Sequence, residues 1–333
     1  MKNLLIIGGG KAAQMRAEIN RTHGLFKIHG LVTRSPALSK ILRDQSYQVF
    51  SSLGELGQSA LDSIDGYWIA QADQDHFDTL KQVIPHRKPI YIEKPLTDSL
   101  QKTVQIIQMS KEFNTPIHLG YQRRHCPSLA AVYSDIQKTG FNHLQFTERD
   151  LPWSPPESLT SSGCIITNFG CHAVNLFLWY TNGALPHRVQ ANGGQYYGTG
   201  VVDRVDFTLW FFGKNAQNVL VEKSASFSLS RQSTTGVYEN LVEVITGDTL
   251  KTYGQDLSKP QNWAERYRTA FTEEMRVFKE VLESRKPGQV VPKTPLEDEV
   301  AAFKIMEALV KSYYTQRTVF LDKNGKFFLI ILT

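Results

Sequence analysis

Residues 3–13 read NLLIIGGGKAA, and they join a short apolar run to a glycine turn with the pattern G-x-G-x-x-A. This order is expected of a first β-strand followed by the N-terminus of a helix. Gly8 permits a tight turn, Gly10 lets the backbone approach a pyrophosphate, and the small Ala13 lets the helix pack closely on the strand. The helix N-terminus then faces the anion. Glycine turns after strands also occur without a nucleotide, so the motif needs support from the rest of the chain.

The first 120 residues alternate short apolar runs with longer amphipathic stretches, which predicts a parallel sheet covered by helices. Parallel strands are buried on both faces and therefore read as continuous apolar runs. The runs predicted as strands are 4–7, 28–32, 67–70, 90–92 and 117–119. We expect residues 1–121 to form a doubly wound α/β Rossmann domain that binds NAD(P).

After Tyr121 the sequence changes to longer segments in which apolar and polar residues alternate, as in 205–210 and 227–230. Alternation is typical of antiparallel strands with one solvated face. Apolar residues at helical spacing (Phe271, Met275, Phe278 and Leu282) and a capping box at 294–297 predict two late helices. The Asn-Gly pair at 324–325 predicts a hairpin. Residues 122–333 are therefore expected to form a second, α+β domain with a large, mostly antiparallel sheet.

The composition is that of a globular chain: 333 residues, of which 41% are hydrophobic and 21% charged. The net charge of +5 is spread along the chain, so it does not predict the basic stripe of a nucleic-acid-binding protein. No segment approaches the roughly 20 apolar residues that span a bilayer, and the first apolar run ends too early for a secretory signal. The three cysteines cannot form a paired disulfide framework, which favours a cytoplasmic protein.

The end of the second predicted strand, residues 31–35, contains no carboxylate. An Asp or Glu there would accept hydrogen bonds from the adenine ribose and repel a 2′-phosphate. Instead, Thr33 and Ser35 can donate hydrogen bonds and Arg34 can pair with a phosphate. The sequence therefore favours NADP as the cofactor, with NAD as the alternative. Arg34 could instead simply face solvent.

Residues 91–96 read YIEKPL and follow a predicted parallel strand, at the edge where open α/β sheets place their ligands. Lys94 there can hydrogen-bond a substrate hydroxyl, and Pro95 stiffens the turn that aims it. The alternative is a loop ion pair between Glu93 and Lys94.

Further motifs follow in a set order. Residues 93–95 read EKP, 120–124 read GYQRR, and 163–175 read GCIITNFGCHAVN. They resemble the E-K-P, G-x-N-x-R and G-x-x-x-x-D-x-G-x-H-x-x-D segments of the Gfo/Idh/MocA oxidoreductases, the glucose-fructose oxidoreductase, inositol dehydrogenase and rhizopine catabolism family. His76 resembles the family's helix-opening histidine, although Gln71-Ala72 replaces the usual Thr-Pro. The resemblance covers nearly the whole chain.

The resemblance implies hydride transfer between a nicotinamide cofactor and a secondary alcohol or ketone of a sugar, cyclitol or sugar derivative. Lys94 and His172, supported by Asn168, would be the catalytic residues. The residues expected to bind the cofactor are Gly8, Gly9, Gly10, Lys11, Ala13, Thr33, Arg34, Ser35, Gln71, His76, Glu93, Lys94 and Gln122. Those expected to bind the substrate are Lys94, Arg123, Asn168, His172 and Asn175. No metal is expected, and the family implies a homo-oligomer, either a dimer or a tetramer.

The match is weakest at Asn168 and Asn175, where the family commonly has carboxylates. With His172 these residues fall at i, i+4 and i+7, so one helix would place them on one face. An amide can orient a histidine but cannot stabilise its charged form. Three interpretations follow: an enzyme that relies on Lys94, an enzyme with an altered substrate, or a catalytically weak NADP-binding sensor or regulator. Candidates for contact with an anionic substrate group are Arg123, Arg124 and Arg149.

Overall fold

The structure, a computed structural model, describes residues 1–36, 39, 43, 47–151, 159–215, 217–233, 235–254, 262–284 and 293–328. The chain forms two compact units. The first consists of Met1–Gln122 and Ala270–Val300, and the second of Arg123–Thr269 and Ala301–Thr333. The predicted change of domain near residue 121 coincides with the end of the first segment. The prediction that everything from residue 122 onward forms one domain differs from the structure, because residues 270–300 pack with the first unit.

The α-helices, in chain order, are α1 (Lys11–His23), α2 (Gln58–Ser63), α3 (Asp73–Val83), α4 (Leu100–Phe113), α5 (Pro127–Thr139), α6 (Leu159–Ser162), α7 (Ile165–Asn168), α8 (Gly170–Tyr180), α9 (Trp263–Arg266), α10 (Arg268–Glu283) and α11 (Leu296–Thr315). Short 3-10 turns lie at Leu53–Glu55, Ile84–His86 and Gln122–His125.

The first unit contains a parallel sheet of six strands in the order β3-β2-β1-β4-β5-β6. The strands are β1 (Asn3–Ile7), β2 (Lys27–Val32), β3 (Val49–Phe50), β4 (Gly66–Ile69), β5 (Ile90–Glu93) and β6 (Ile117–Gly120). The predicted Rossmann arrangement is confirmed. The strand order reverses between β1 and β4, and this is where such sheets bind ligands. Strand β3 was not predicted, because two residues carry no periodic signal.

Helix α10 explains why residues 270–300 belong to the first unit. Its predicted apolar face is buried. The ring of Phe278 lies 6.1 Å from that of Phe26 and 5.6 Å from that of Tyr91, between centroids. Leu282 packs so closely on β4 that a Cβ added to Gly66 would meet its methyl group at 2.6 Å. The sequence predicted the helix, but its packing partners are more than 180 residues away along the chain and carry no local signal.

The second unit contains an eight-stranded sheet in the order β12-β11-β7-β10-β9-β8-β13-β14. The strands are β7 (His143–Arg149), β8 (Arg188–Gly194), β9 (Arg204–Lys214), β10 (Leu220–Ser230), β11 (Glu239–Thr246), β12 (Thr249–Gly254), β13 (Val319–Leu321) and β14 (Phe327–Phe328). All neighbours are antiparallel except β7 and β10. The predicted mostly antiparallel sheet is confirmed, and Val205, Phe207 and Leu209 show the expected alternate burial.

The predicted C-terminal hairpin forms within the chain. Phe320 pairs with Phe328 across β13 and β14, and the Asp322 amide donates to the Lys326 carbonyl at 2.9 Å. Gly325 adopts a left-handed φ of 75°, which glycine accommodates without strain. The rest of the apolar tail, residues 329–333, lies outside the described residues. Within the described part of the chain, no helix is long and apolar enough to cross a membrane.

Candidate functional site

A cavity of about 680 Å³ lies at the carboxyl ends of β1, β2 and β4, at the reversal of strand order. Its volume is within the range of cofactor pockets. The predicted cofactor residues that line it are Gly8, Gly9, Gly10, Thr33, Arg34, Ser35 and Gln71. Five separate stretches of sequence supply the lining, all within the first unit.

At Gly8 the glycine turn has a shape that other residues could not adopt. Gly8 has a φ of +107°, and a Cβ there would lie 2.3 Å from the carbonyl oxygen of Ala70. Gly10 precedes α1, where no side chain caps the helix, and a Cβ there would meet nothing within 4 Å. The first amides of α1 therefore remain accessible from the cavity, as a pyrophosphate requires. These features fit a dinucleotide cofactor.

The remaining residues predicted to bind the cofactor are not among the described residues that line the cavity. Ala13 is buried between helix and sheet, as its small size requires. Among the described residues, the cavity lining does not include His76, Glu93, Lys94 or Gln122. The side chain of Lys11 lies outside the described residues. For these positions a role toward the cofactor stays a prediction.

Sequence reasoning missed a carboxylate in this cavity. Asp75, in the first turn of α3, forms an ion pair with the Arg34 guanidinium, whose side chain is 75% exposed. Asp78 lies one helical turn later and also lines the cavity. The end of β2 carries no acid, but α3 supplies one from the far side of β1. The acidic residues at the start of the predicted helix were the available signal.

Lys94 is half-buried and follows β5 directly, and its two neighbours are held by other elements. Glu93 Oε1 accepts a hydrogen bond from Arg16 Nε on α1 at 2.6 Å. The carboxylate of Glu93 is therefore engaged with Arg16. On the other side, the carbonyl oxygen of Pro95 lies 2.8 Å from Nδ1 of the buried His76.

A third anchor follows one residue later. The Leu96 amide donates to Glu299 Oε1 on α11 at 3.2 Å, and the Tyr121 hydroxyl donates to Glu299 Oε2 at 3.0 Å. Glu299 is fully buried. Helices α1, α3 and α11 thus each hold one residue beside Lys94, and buried hydrogen bonds of this kind fix the loop geometry.

Arg16 also connects Glu93 to a second buried carboxylate. Its Nη2 donates to Glu274 Oε2 on α10 at 2.9 Å, and the Tyr91 hydroxyl donates to the same oxygen at 2.9 Å. Burial raises the pKa of Glu274 to about 7, and the negative charge of Glu93 adds to this, whereas Arg16 opposes it. Burial lowers the pKa of the neighbouring His118 to about 3, with Arg16 contributing.

The predicted substrate helix is two helices in the structure. Helix α7 ends at Asn168 and α8 begins at Gly170, with Phe169 between them. The His172 amide bonds to the Phe169 carbonyl with i to i+3 spacing, which is tighter than α-helical. Glycine at the junction weakens helix continuity. The prediction that one continuous helix carries Asn168, His172 and Asn175 is therefore wrong, whereas their placement on one face stays a prediction.

The polar residues of this segment have partners that the sequence did not indicate. Asn168 Oδ1 accepts a hydrogen bond from Arg231 Nη2 at 3.2 Å. His172 is buried in the first turn of α8. Asn175 Oδ1 accepts from Arg124 Nε at 2.7 Å. The Asn175 Nδ2 donor has no hydrogen-bond partner among the described residues.

The arginines considered for an anionic substrate group all bond to the protein. Arg123 is buried and forms an ion pair with Glu148, and burial raises the pKa of Glu148 although Arg123 opposes it. Arg149 pairs with Glu239 at 2.6 Å. Together with the Arg124–Asn175 contact, these bonds give each of the three arginines a partner within the second unit. A substrate contact by Arg123 stays a prediction.

Lys94 lies in the first unit and His172 in the second. Each is described within its own unit, so their joint action stays a prediction.

Residues 2–121 match a family described as an oxidoreductase family with an NAD-binding Rossmann fold. Among curated proteins, the chain is 22% identical to the rhizopine catabolism protein MocA of Rhizobium meliloti; the match covers 53% of this chain and 56% of that protein.

Among solved structures, scyllo-inositol dehydrogenase from Lactobacillus casei with bound NAD(H) and scyllo-inositol superposes with a TM-score of 0.80 at 18% identity. The superposition covers 96% of this chain and 99% of that one. A myo-inositol dehydrogenase from Corynebacterium glutamicum gives a TM-score of 0.79 at 19% identity, over 97% and 99%. At these identities the likeness establishes the two-domain fold.

The glycine turn, the sheet order and the family match over residues 2–121 agree with the motifs read from the sequence. Over residues 2–121 the chain therefore resembles the Gfo/Idh/MocA oxidoreductases.

Proposed function

We propose that this protein is an NAD(P)-dependent dehydrogenase that oxidises a secondary alcohol, or reduces the ketone, of a cyclitol, sugar or sugar derivative. The observation that carries this proposal is the anchored Lys94 loop at the carboxyl end of β5, in the sheet that forms the nucleotide-sized cavity. A lysine held in this way is preorganised for proton transfer. The bound nicotinamide cofactor supplies or accepts the hydride.

The chain's own residues have distinct tasks in this reaction. The glycine turn and the amides of α1 hold the pyrophosphate. The Lys94 ammonium binds the substrate oxygen and exchanges its proton, and His172 assists in that exchange. The amides of Asn168 and Asn175 bind substrate hydroxyls; in support, the buried Nδ2 donor of Asn175 has no hydrogen-bond partner among the described residues. Because Asn168 brings no negative charge to stabilise an imidazolium, Lys94 is the principal acid–base group.

We further propose that NADP(H) is preferred to NAD(H). Arg34 lines the cavity with Thr33 and Ser35, and a guanidinium pairs well with a phosphate. Steady-state Michaelis constants for both cofactors, in the wild type and in Arg34→Ala, test this. We expect the variant to lose affinity for NADP(H) selectively, whereas equal use of both cofactors by the wild type would contradict the preference.

A turnover screen tests the activity itself. Inositols, hexoses and their keto forms would be incubated with each cofactor while reduced nicotinamide is followed by absorbance. We expect turnover with at least one polyol, and its loss in Lys94→Ala. Cofactor binding together with a complete lack of turnover across the panel would contradict the dehydrogenase proposal.

That outcome would support the second candidate function, an NADP-binding sensor or regulator with the same fold. The observation in its favour is the replacement of both family carboxylates by Asn168 and Asn175, each bonded to an arginine. A sensor would bind cofactor and ligand without consuming either. The retained and anchored Lys94 favours the enzyme.

The cellular setting follows from the same proposal. The three cysteines are free thiols, which supports a reducing cytoplasmic location. Resemblance to the family supports a homo-oligomer, which analytical ultracentrifugation would test. A sugar-like substrate and further copies of this chain are the partners we propose.

A further inference from the structure

We propose that Asp75 sets the balance between NADP(H) and NAD(H) by competing for Arg34. This inference rests on the proposed function and extends it, because it assigns a specificity-determining role to a residue on a different element from the end of β2.

The geometry of the pair carries the proposal. Asp75 Oδ2 bonds to Arg34 Nη2, and both residues line the cavity. Arg34 follows β2, whereas Asp75 lies in the first turn of α3, after β4. The pair therefore joins the ends of the two strands that flank β1. The Arg34 side chain is 75% exposed and that of Asp75 is 25% exposed, so the guanidinium can turn while the carboxylate is held by the helix.

The charge of Asp75 opposes a phosphate at this position. In the pair, Asp75 neutralises Arg34 and places a negative charge where a 2′-phosphate would approach. NADP(H) binding then requires Arg34 to exchange the carboxylate for the phosphate. NAD(H) leaves the pair intact, and its ribose hydroxyls can donate to Asp75.

The neighbouring hydroxyls do not reproduce this effect. Thr33 is buried, and its Oγ1 accepts a hydrogen bond from the Ser35 amide at 3.3 Å. Neutral hydroxyls can bond to a ribose or a phosphate with little preference. The discrimination therefore depends on the two charged side chains, Arg34 and Asp75.

The experiment measures dissociation constants of the full chain for NADH and NADPH by fluorescence titration at low salt. In Asp75→Asn we expect the ratio of the NADH constant to the NADPH constant to rise about three- to tenfold, mostly through tighter NADPH binding. The change should diminish as salt is added, because it is electrostatic. Circular dichroism verifies that the variant is folded.

Asp78→Asn is the matched control. It removes the same charge from the same cavity and helix, and Asp78 forms no salt bridge with a residue that the structure describes. We expect its ratio to change by less than about twofold. In an Arg34→Ala background, Asp75→Asn should change the ratio less than in the wild type, because the competition for Arg34 is gone and only the direct repulsion between Asp75 and the phosphate remains.

The outcomes separate this inference from the proposed function. An unchanged ratio in Asp75→Asn, or an equal change in Asp78→Asn, overturns the role of Asp75 while leaving the dehydrogenase proposal in place. A wild type that binds neither cofactor overturns both. Cofactor binding with the expected shift but no turnover with any substrate overturns the dehydrogenase proposal alone.

Discussion

The Lys94 loop and the His172 segment show two ways in which a family motif is preserved. Around Lys94 both the motif and its supports are present, since Arg16, His76 and Glu299 each bond to one neighbouring residue. Around His172 the histidine is retained, but the acids are amides bonded to arginines. The Lys94 loop therefore has both the motif residues and the hydrogen bonds that hold them. The His172 segment has the histidine, but neutral amides stand where the family commonly has carboxylates.

The difference indicates that Lys94 and His172 need different kinds of support from the residues around them. An acid–base lysine needs a fixed position, and buried hydrogen bonds provide it. A histidine that shuttles a proton also needs a partner that stabilises its charged form. Asn168 cannot supply that charge, so we expect the two regions to respond differently to substitution.

The largest expected effect is that of Lys94→Ala. Removing the principal acid–base group should lower kcat by about 10⁴-fold, while the NADPH dissociation constant changes by less than about threefold, because Lys94 lies outside the cavity lining. Steady-state kinetics and fluorescence titration measure the two quantities. Lys102→Ala, at a partly exposed lysine of the same unit, is the control. Unchanged turnover would refute the assignment.

Arg16→Met should produce the largest loss of stability. It leaves Glu93 and Glu274 without their shared counter-charge, and removing one partner from a buried ion pair costs about 3 kcal/mol or more. Urea denaturation followed by tryptophan fluorescence measures the free energy of unfolding. Arg21→Met, on the exposed face of the same helix, should change it by less than about 0.5 kcal/mol. Equal effects of the two variants would show that the buried network contributes nothing.

His172→Ala should lower kcat by about 10²-fold, well below the effect of Lys94→Ala. The reason is that the neutral amide of Asn168 adds no negative charge that would stabilise a protonated imidazole. His143→Ala, at a half-buried histidine bonded to Ser224, controls for loss of an imidazole from the same unit. If His172→Ala were as damaging as Lys94→Ala, the amides would not weaken the second region and the comparison would fail.

Glu274→Gln should give the smallest effect, and one that depends on pH. The folded protein binds the Glu274 proton more tightly than the unfolded chain, because the pKa is raised from 4.5 to about 7. The contribution of this group to stability is present below about pH 4.5 and is lost as the pH rises through about 7.

Gln cannot ionise, so it does not lose this contribution. The free energy of unfolding of the variant, relative to that of the wild type, should therefore rise by about 2 kcal/mol between pH 5 and pH 8. Urea denaturation at both pH values measures this, with Glu273→Gln on the same helix as a control for the substitution itself. A difference between variant and wild type that is the same at both pH values would show that Glu274 does not titrate in this range.

The fold of the first unit could be predicted because its signals are local. Each strand or turn is indicated by residues that are neighbours in the sequence. Examples are the apolar run at 4–7, the glycine turn, and the apolar runs at 67–70 and 90–92. The reversal of strand order then follows from general rules for βαβ units. The same local signals placed Lys94 at the carboxyl end of a strand.

The partners of the functional residues could not be predicted in this way. Glu93 bonds to a residue 77 positions earlier, and Leu96 to one 203 positions later. The ion pair of Arg123 with Glu148 was missed for the same reason, since the two residues lie 25 positions apart on different elements. A predicted helix across 168–175 was broken at Phe169, where the spacing of polar residues alone gave no warning.

The sequence by itself determined the class of fold, the place of the cofactor turn and the position of Lys94, because these depend on residue type and on spacing along a few turns of chain. Only the tertiary structure decided that α10 completes the first unit, that three helices anchor the Lys94 loop, and that Asp75 faces Arg34. Burial and charge pairing depend on which distant segments meet, and no local pattern encodes that meeting.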